Sequence, residues 1–106
     1  MTESAAPFLI FASMNPKVAL KARFQHRRAI DDAISNFNSS AQALLIISKA
    51  NQPSEDGRYV VLTFTSTDPV TPFATHLCEI DGDRAAFFWG HYFNSLDEAF
   101  KDAQGR

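Results

Sequence analysis

The chain has 106 residues, 45% of them hydrophobic and 21% charged, with a formal net charge of −2. That length accommodates one domain over residues 1–106, able to bury roughly 65% of its unfolded surface without metal or disulfide support. The charge balance excludes whole-protein attraction to nucleic acid or an anionic membrane, so any such site has to be a local patch.

Cys78 is the only cysteine, which rules out an internal disulfide and a thiolate zinc cage. A lone thiol suits a reducing compartment. Residues 5–14 are apolar, but Glu3 stands where a leader needs basic residues and Pro7 interrupts the run. The stretch is also too short to span a bilayer. The cytoplasm is therefore the expected location, with no membrane partner. Ten phenylalanines accompany one tryptophan and two tyrosines, and rings in that number need a core or a partner.

In chain order, Phe8 to Ala12 reads as a short buried strand. Asn15-Pro16 suits a chain reversal; the competing reading has Asn15 capping a helix with Pro16 at its first position. Val18, Leu20, Ala22 and Phe24 alternate with Ala19, Lys21, Arg23 and Gln25, a period of two that favours a second strand. From Arg27 onward, Ile30, Ala33, Ile34 and Phe37 recur at three and four, giving an amphipathic helix that ends at Phe37. Leu44 to Ile47 is too short for periodicity to classify, and its β-branched pair favours a central strand over a helix. Gln52 to Gly57 is a loop.

Tyr59 to Thr65 alternates cleanly and predicts a strand. Asp68 to Pro72, with Pro69 and Pro72, is a connection. His76 to Ile80 and Ala85 to Phe93 flank Asp81-Gly82, a dipeptide that favours a type I′ hairpin. Ser95 to Glu98 forms a capping box, and Leu96, Ala99, Phe100 and Ala103 continue it as the apolar stripe of a helix. The fold class is α+β: a single, mostly antiparallel sheet of about five or six strands with two helices. A weak echo between Phe24–Ala33 and Phe93–Ala103 raises a division into two ββα-like halves.

Three groupings bear on function. An even hairpin loop puts His76, Cys78 and His91 on one face, with ligand types for zinc or a thiolate–histidine pair. Ile80, Phe87, Trp89 and Phe93 share that face, so it reads as core and no metal is expected. The opposite face then carries Phe88, Tyr92, Tyr59 and Leu77, with Lys21 and Arg23 beside them. If both helices cover the other side, this is an exposed aromatic and basic surface. Arg23 to Arg28 could hold a phosphate at a strand-to-helix junction, but pairing of Arg27 and Arg28 with Asp31 and Asp32 is preferred. The acids at the hairpin tip are those a tight turn requires.

No glycine-rich phosphate loop, nucleophile elbow, zinc-protease helix or EF-hand loop is present. The expectation is a non-catalytic interaction module without cofactor, binding a protein partner or forming a homodimer. As a biological role this is a small regulator or inhibitor, immunity- or anti-defence-like. The alternatives are a single-stranded nucleic-acid platform on the aromatic face and a small enzyme around His76, Cys78 and His91. A purely structural reading packs the second helix on the aromatic face, making three layers.

Overall fold

The computed structural model describes residues 16–49 and 57–106, with side chains of the first helix from residue 25 onward. Helix α1 (Pro16–Phe37) leads into strands β1 (Ala41–Ser48), β2 (Arg58–Thr65), β3 (Phe73–Asp81) and β4 (Arg84–Phe93), and helix α2 (Leu96–Gly105) follows. The strands form one antiparallel meander in the order β1-β2-β3-β4. Among the described residues the sheet therefore has four strands, fewer than expected. The run Phe8 to Ala12 lies outside the described residues.

The segment read as a second strand, Val18 to Phe24, is instead the first half of α1. Pro16 at the first helical position is compatible with that start, since its missing N–H would be unpaired there anyway. The strand reading assumed that Phe37 belonged to the core; Phe37 is 91% exposed, and the face that packs is Ala29, Ile30 and Ile34. Two ββα-like halves are excluded by the same finding. Asn38 closes the helix: its N–H donates to the Ile34 carbonyl and its side chain accepts from the Ser40 N–H.

The sheet is buried on both sides. On one face Ile30 and Ile34 of α1 pack on Val61 and Cys78, with Ile46, Tyr59 and Phe87 around them. On the other, Ala99 and Ala103 of α2 pack on Val60 and Leu62, with Ile47, Leu77 and Phe93 around them. Val60 and Val61 are neighbours in one strand, point to opposite faces, and are both fully buried. The arrangement is a three-layer helix–sheet–helix sandwich, the structural reading above, and not two helices on one face.

The N-terminal cap of α2 is as expected, with the Ser95 hydroxyl accepting from the Glu98 N–H. Only the alanines of its stripe are buried, while Leu96 and Phe100 remain partly exposed. Small side chains on the contact line let the helix axis approach the strands closely, leaving the bulkier neighbours at the flanks.

Strand β1 exists where expected but, among the described residues, lies at a sheet edge and not at its centre. Both edge strands are bulged: β1 carries the extra residue Leu44 opposite Thr63 and Leu62, and β4 carries one between Phe88 and His91. Bulges at edges interrupt the row of unpaired backbone groups that would otherwise template further strands. The β3–β4 hairpin closes at Asp81–Arg84 around Gly82-Asp83. Gly82 has φ +66° and Asp83 is not in the positive region. That fits the type II′ requirement of one positive φ, at the first loop position, and not type I′, which needs two.

Candidate functional site

The bulge in β4 determines what the surface presents. Between the pairs Thr75–His91 and Leu77–Phe88, strand β3 contributes His76 alone while β4 contributes Trp89 and Gly90. Trp89 absorbs the extra length by adopting φ +49°, the one positive φ among described non-glycine residues. For a bulky side chain that conformation costs about 1–2 kcal/mol. Gly90 fits because the bulge closes on its neighbours: a Cβ there would lie 2.5 Å from His76 Nε2 and 2.7 Å from Tyr92 Oη.

A polar network braces the bulge from the α2 side. The Arg106 guanidinium donates to the Trp89 carbonyl at 2.6 Å and to the Thr75 carbonyl and hydroxyl at 2.9 and 3.1 Å. Thr75, wholly buried, donates its hydroxyl to Asp102 Oδ2 at 2.5 Å, and His91 Nδ1 meets the same oxygen at 2.9 Å. Desolvation pushes Asp102 upward. The hydrogen bonds from Thr75 and His91, with the charges of His91 and Arg106, outweigh it and hold the carboxyl below its ordinary value. The network ties the C-terminal end of α2 to the strained residue.

Strain held this firmly displays an aromatic side chain. Trp89 is 75% exposed and Tyr92 is 61% exposed; the Phe88 ring centroid lies 6.4 Å from that of Trp89. Trp89 forms the ridge between two clefts. On the α1 face is a cleft of about 530 Å³ whose lining includes Ile34, Phe37, Thr65, His76 and Tyr92. On the α2 face is one of about 360 Å³ bordered by Lys49, Arg58, Glu79, Phe88 and Arg106. His76 stands edge-on to Phe87 and Tyr92 in the first cleft. Burial, and then the charges of Arg106 and His91, hold its pKa below the ordinary 6.5, so the ring is neutral at pH 7.

The bulge also separates residues that simple alternation placed together. Phe88 pairs with Leu77 on the α2 face, whereas Tyr92 pairs with Ala74 on the α1 face. The two meet only at the β4 edge, through Trp89. Tyr59 is half-buried on the α1 face, where its hydroxyl bonds His26 Nδ1 at 2.7 Å and joins helix to sheet. Leu77 is half-buried against the α2 core cluster. Neither belongs to an open aromatic face. Lys21 and Arg23 lie within α1, and their side chains are outside the described residues.

His76, Cys78 and His91 are not brought together either. His76 and Cys78 point to the α1 face, while the bulge turns His91 to the α2 face and Asp102. Cys78 is buried, and desolvation followed by the nearby Glu79 charge pushes its thiol up to about 12. That leaves it protonated at neutral pH. Among the described residues no cluster of three metal-ligating side chains exists. The Arg23–Arg28 run lies inside a helix and not at its start, and Arg27 pairs with Asp31 at 3.1 Å on its exposed flank. No helix among the described residues is long and apolar enough to cross a membrane.

Sequence reasoning missed Trp89, Phe37 and Arg106 as residues that shape this surface. An isolated glycine inside a strand pattern was the available signal, since Gly90 marks a bulge. Comparison with models of protein families, with curated proteins and with solved structures finds no match.

Proposed function

We propose that this protein is a non-catalytic interaction module that docks a protein partner, a second copy or another chain, on the aromatic lip of β4. The observation that carries the reading is Trp89: a bulky residue fixed at φ +49°, three-quarters exposed, with its carbonyl clamped by Arg106. Backbone strain concentrates at functional positions. Exposed Trp and Tyr beside an apolar cleft are typical anchors of protein interfaces. A protein acting by association alone would serve as a small regulator or inhibitor, and that is the role we propose.

Trp89 is the chain's only tryptophan, so its emission reports directly on this surface. Association with a partner shifts that emission to the blue as the indole leaves water. The variant Trp89→Ser/Tyr92→Ser should keep the far-ultraviolet circular dichroism of the parent and lose both self-association by light scattering and capture of any partner. A self-complex or captured partner that survives the double substitution overturns the proposal.

A further inference from the structure

We infer that the occupant of the aromatic lip is a second copy of this chain, related by a two-fold axis, with Trp89 of each copy seated in the α1-face cleft of the other. This rests on the docking reading above and names its partner. Trp89 projects from β4 directly beside that cleft, whose helix-side wall is Ile34 and Phe37 of α1. A protruding side chain next to a hollow on one surface is self-complementary, because a two-fold turn brings each knob over the other copy's hollow. A foreign partner would have to supply both shapes. The cleft lies at the Phe37 end of α1 and beside Ala41 and Thr65, at the opposite ends of these elements from Pro16 and from the β1–β2 connection.

Charge and area favour the same occupant. Near a two-fold axis each side chain approaches its own copy, so a charge placed there repels itself. The described residues lining the α1-face cleft include no Asp, Glu, Lys or Arg, in a chain of which 21% is charged. Its polar groups are the hydroxyls of Thr63, Thr65 and Tyr92 and the neutral imidazole of His76. Phe37, Trp89 and Tyr92 are 91, 75 and 61% exposed. At about 150–250 Å² for each aromatic residue, they offer on the order of 500 Å² per copy. A stable contact needs about 800 Å² from each side, so three side chains supply well over half of it. A small molecule in the cleft would cover the inner edges of Phe37 and Trp89 and leave their outer faces in water. The bulge in β4 interrupts the ladder at that edge, so the copies meet through side chains and not by extending the sheet.

The test uses the full chain, size-exclusion chromatography with light scattering, and Trp89 emission. At micromolar concentration the chain should have the mass of two copies and dissociate on dilution. Its emission should be shifted to the blue in the self-complex and move to the red over the same dilution range. Phe37→Asp sets a carboxylate against the incoming indole and should weaken the self-complex by roughly thirtyfold or more. Because Phe37 is largely exposed, that variant should keep the circular dichroism of the parent. Phe37→Ser, which adds no charge, should weaken the self-complex in the same direction by a smaller factor. A single-chain mass at every concentration, or a self-complex that both Phe37 variants leave intact, overturns the inference. Emission that stays constant through dissociation places the contact elsewhere and overturns it too. The docking reading fails separately, if a self-complex or a captured partner survives Trp89→Ser/Tyr92→Ser. A monomeric chain whose capture of another protein is lost in that double variant overturns this inference alone.

Discussion

Replacing either Val60 or Val61 with aspartate is expected to unfold the protein, each substitution as thoroughly as the other. The two residues are adjacent in β2, and neither has any exposed surface. Val60 lies under Ala99 and Ala103 of α2, while Val61 lies under Ile30 and Ile34 of α1. An isolated carboxylate at either place loses its hydration with no described cation on the same core cluster to replace it, a penalty above about 4 kcal/mol. That is a large share of the stability available to a chain of this length. In a sheet covered on one side only, one of the pair would face water and its substitution would be nearly silent. Circular dichroism and thermal melts of both variants distinguish the two architectures. A folded Val60→Asp or Val61→Asp would remove one layer from the structure.

Asp102→Ala is the second large effect, at about 2–3 kcal/mol, which lowers the melting temperature by roughly 10 °C or more. Asp102 accepts from the buried Thr75 hydroxyl and from His91, and removing it leaves the hydroxyl of wholly buried Thr75 without its acceptor. Removing both partners is gentler than removing one, because no unsatisfied group is left behind. Thr75→Val/Asp102→Ala should therefore be less damaged than the sum of its single variants. The pH dependence follows from the depressed carboxyl. A group whose folded pKa lies below its unfolded value stabilises fully above the unfolded value and loses that contribution as pH falls through the folded one. The gap between the parent and Asp102→Ala should hold from neutral pH down to about 4 and close only below the ordinary value of 3.8.

Local signals predicted the elements that local chemistry controls. The alternation of Tyr59 to Thr65, the Ser95 cap and the prolines after Asp68 all mark structure that is present. In that last connection the Asp68 carboxylate accepts from the Val70 and Thr71 N–H groups at 2.9 and 3.0 Å. The two-sided covering, expected only as an alternative, has a local mark: Val60-Val61-Leu62 is an unbroken apolar run inside an alternating strand, the pattern of burial on both faces. The period-two reading of Val18 to Phe24 failed because it anchored the helix stripe on Phe37, a residue that overhangs the sheet and lines a cleft.

The site was legible in part. Phe88 and Tyr92 were identified as surface aromatics, and both are substantially exposed. Their shared face was wrong because one inserted residue reverses the sidedness of everything after it. Gly90 was the mark of that insertion. The brace itself leaves no local trace: Thr75 lies 27 residues from Asp102 and 31 from Arg106. Such a network becomes visible only once α2 has been laid across β3.

The exchange of Trp89 for glycine and, separately, for alanine tests most directly whether this residue is held under strain. Alanine keeps a Cβ and so keeps the penalty of φ +49°, whereas glycine adopts that angle freely. Glycine should leave the protein more stable than alanine by about 1 kcal/mol, several degrees in melting temperature, reversing the usual order of these residues within a strand. An alanine variant as stable as the glycine variant, or more so, would mean that the backbone at 89 is relaxed and that nothing is being held there for display.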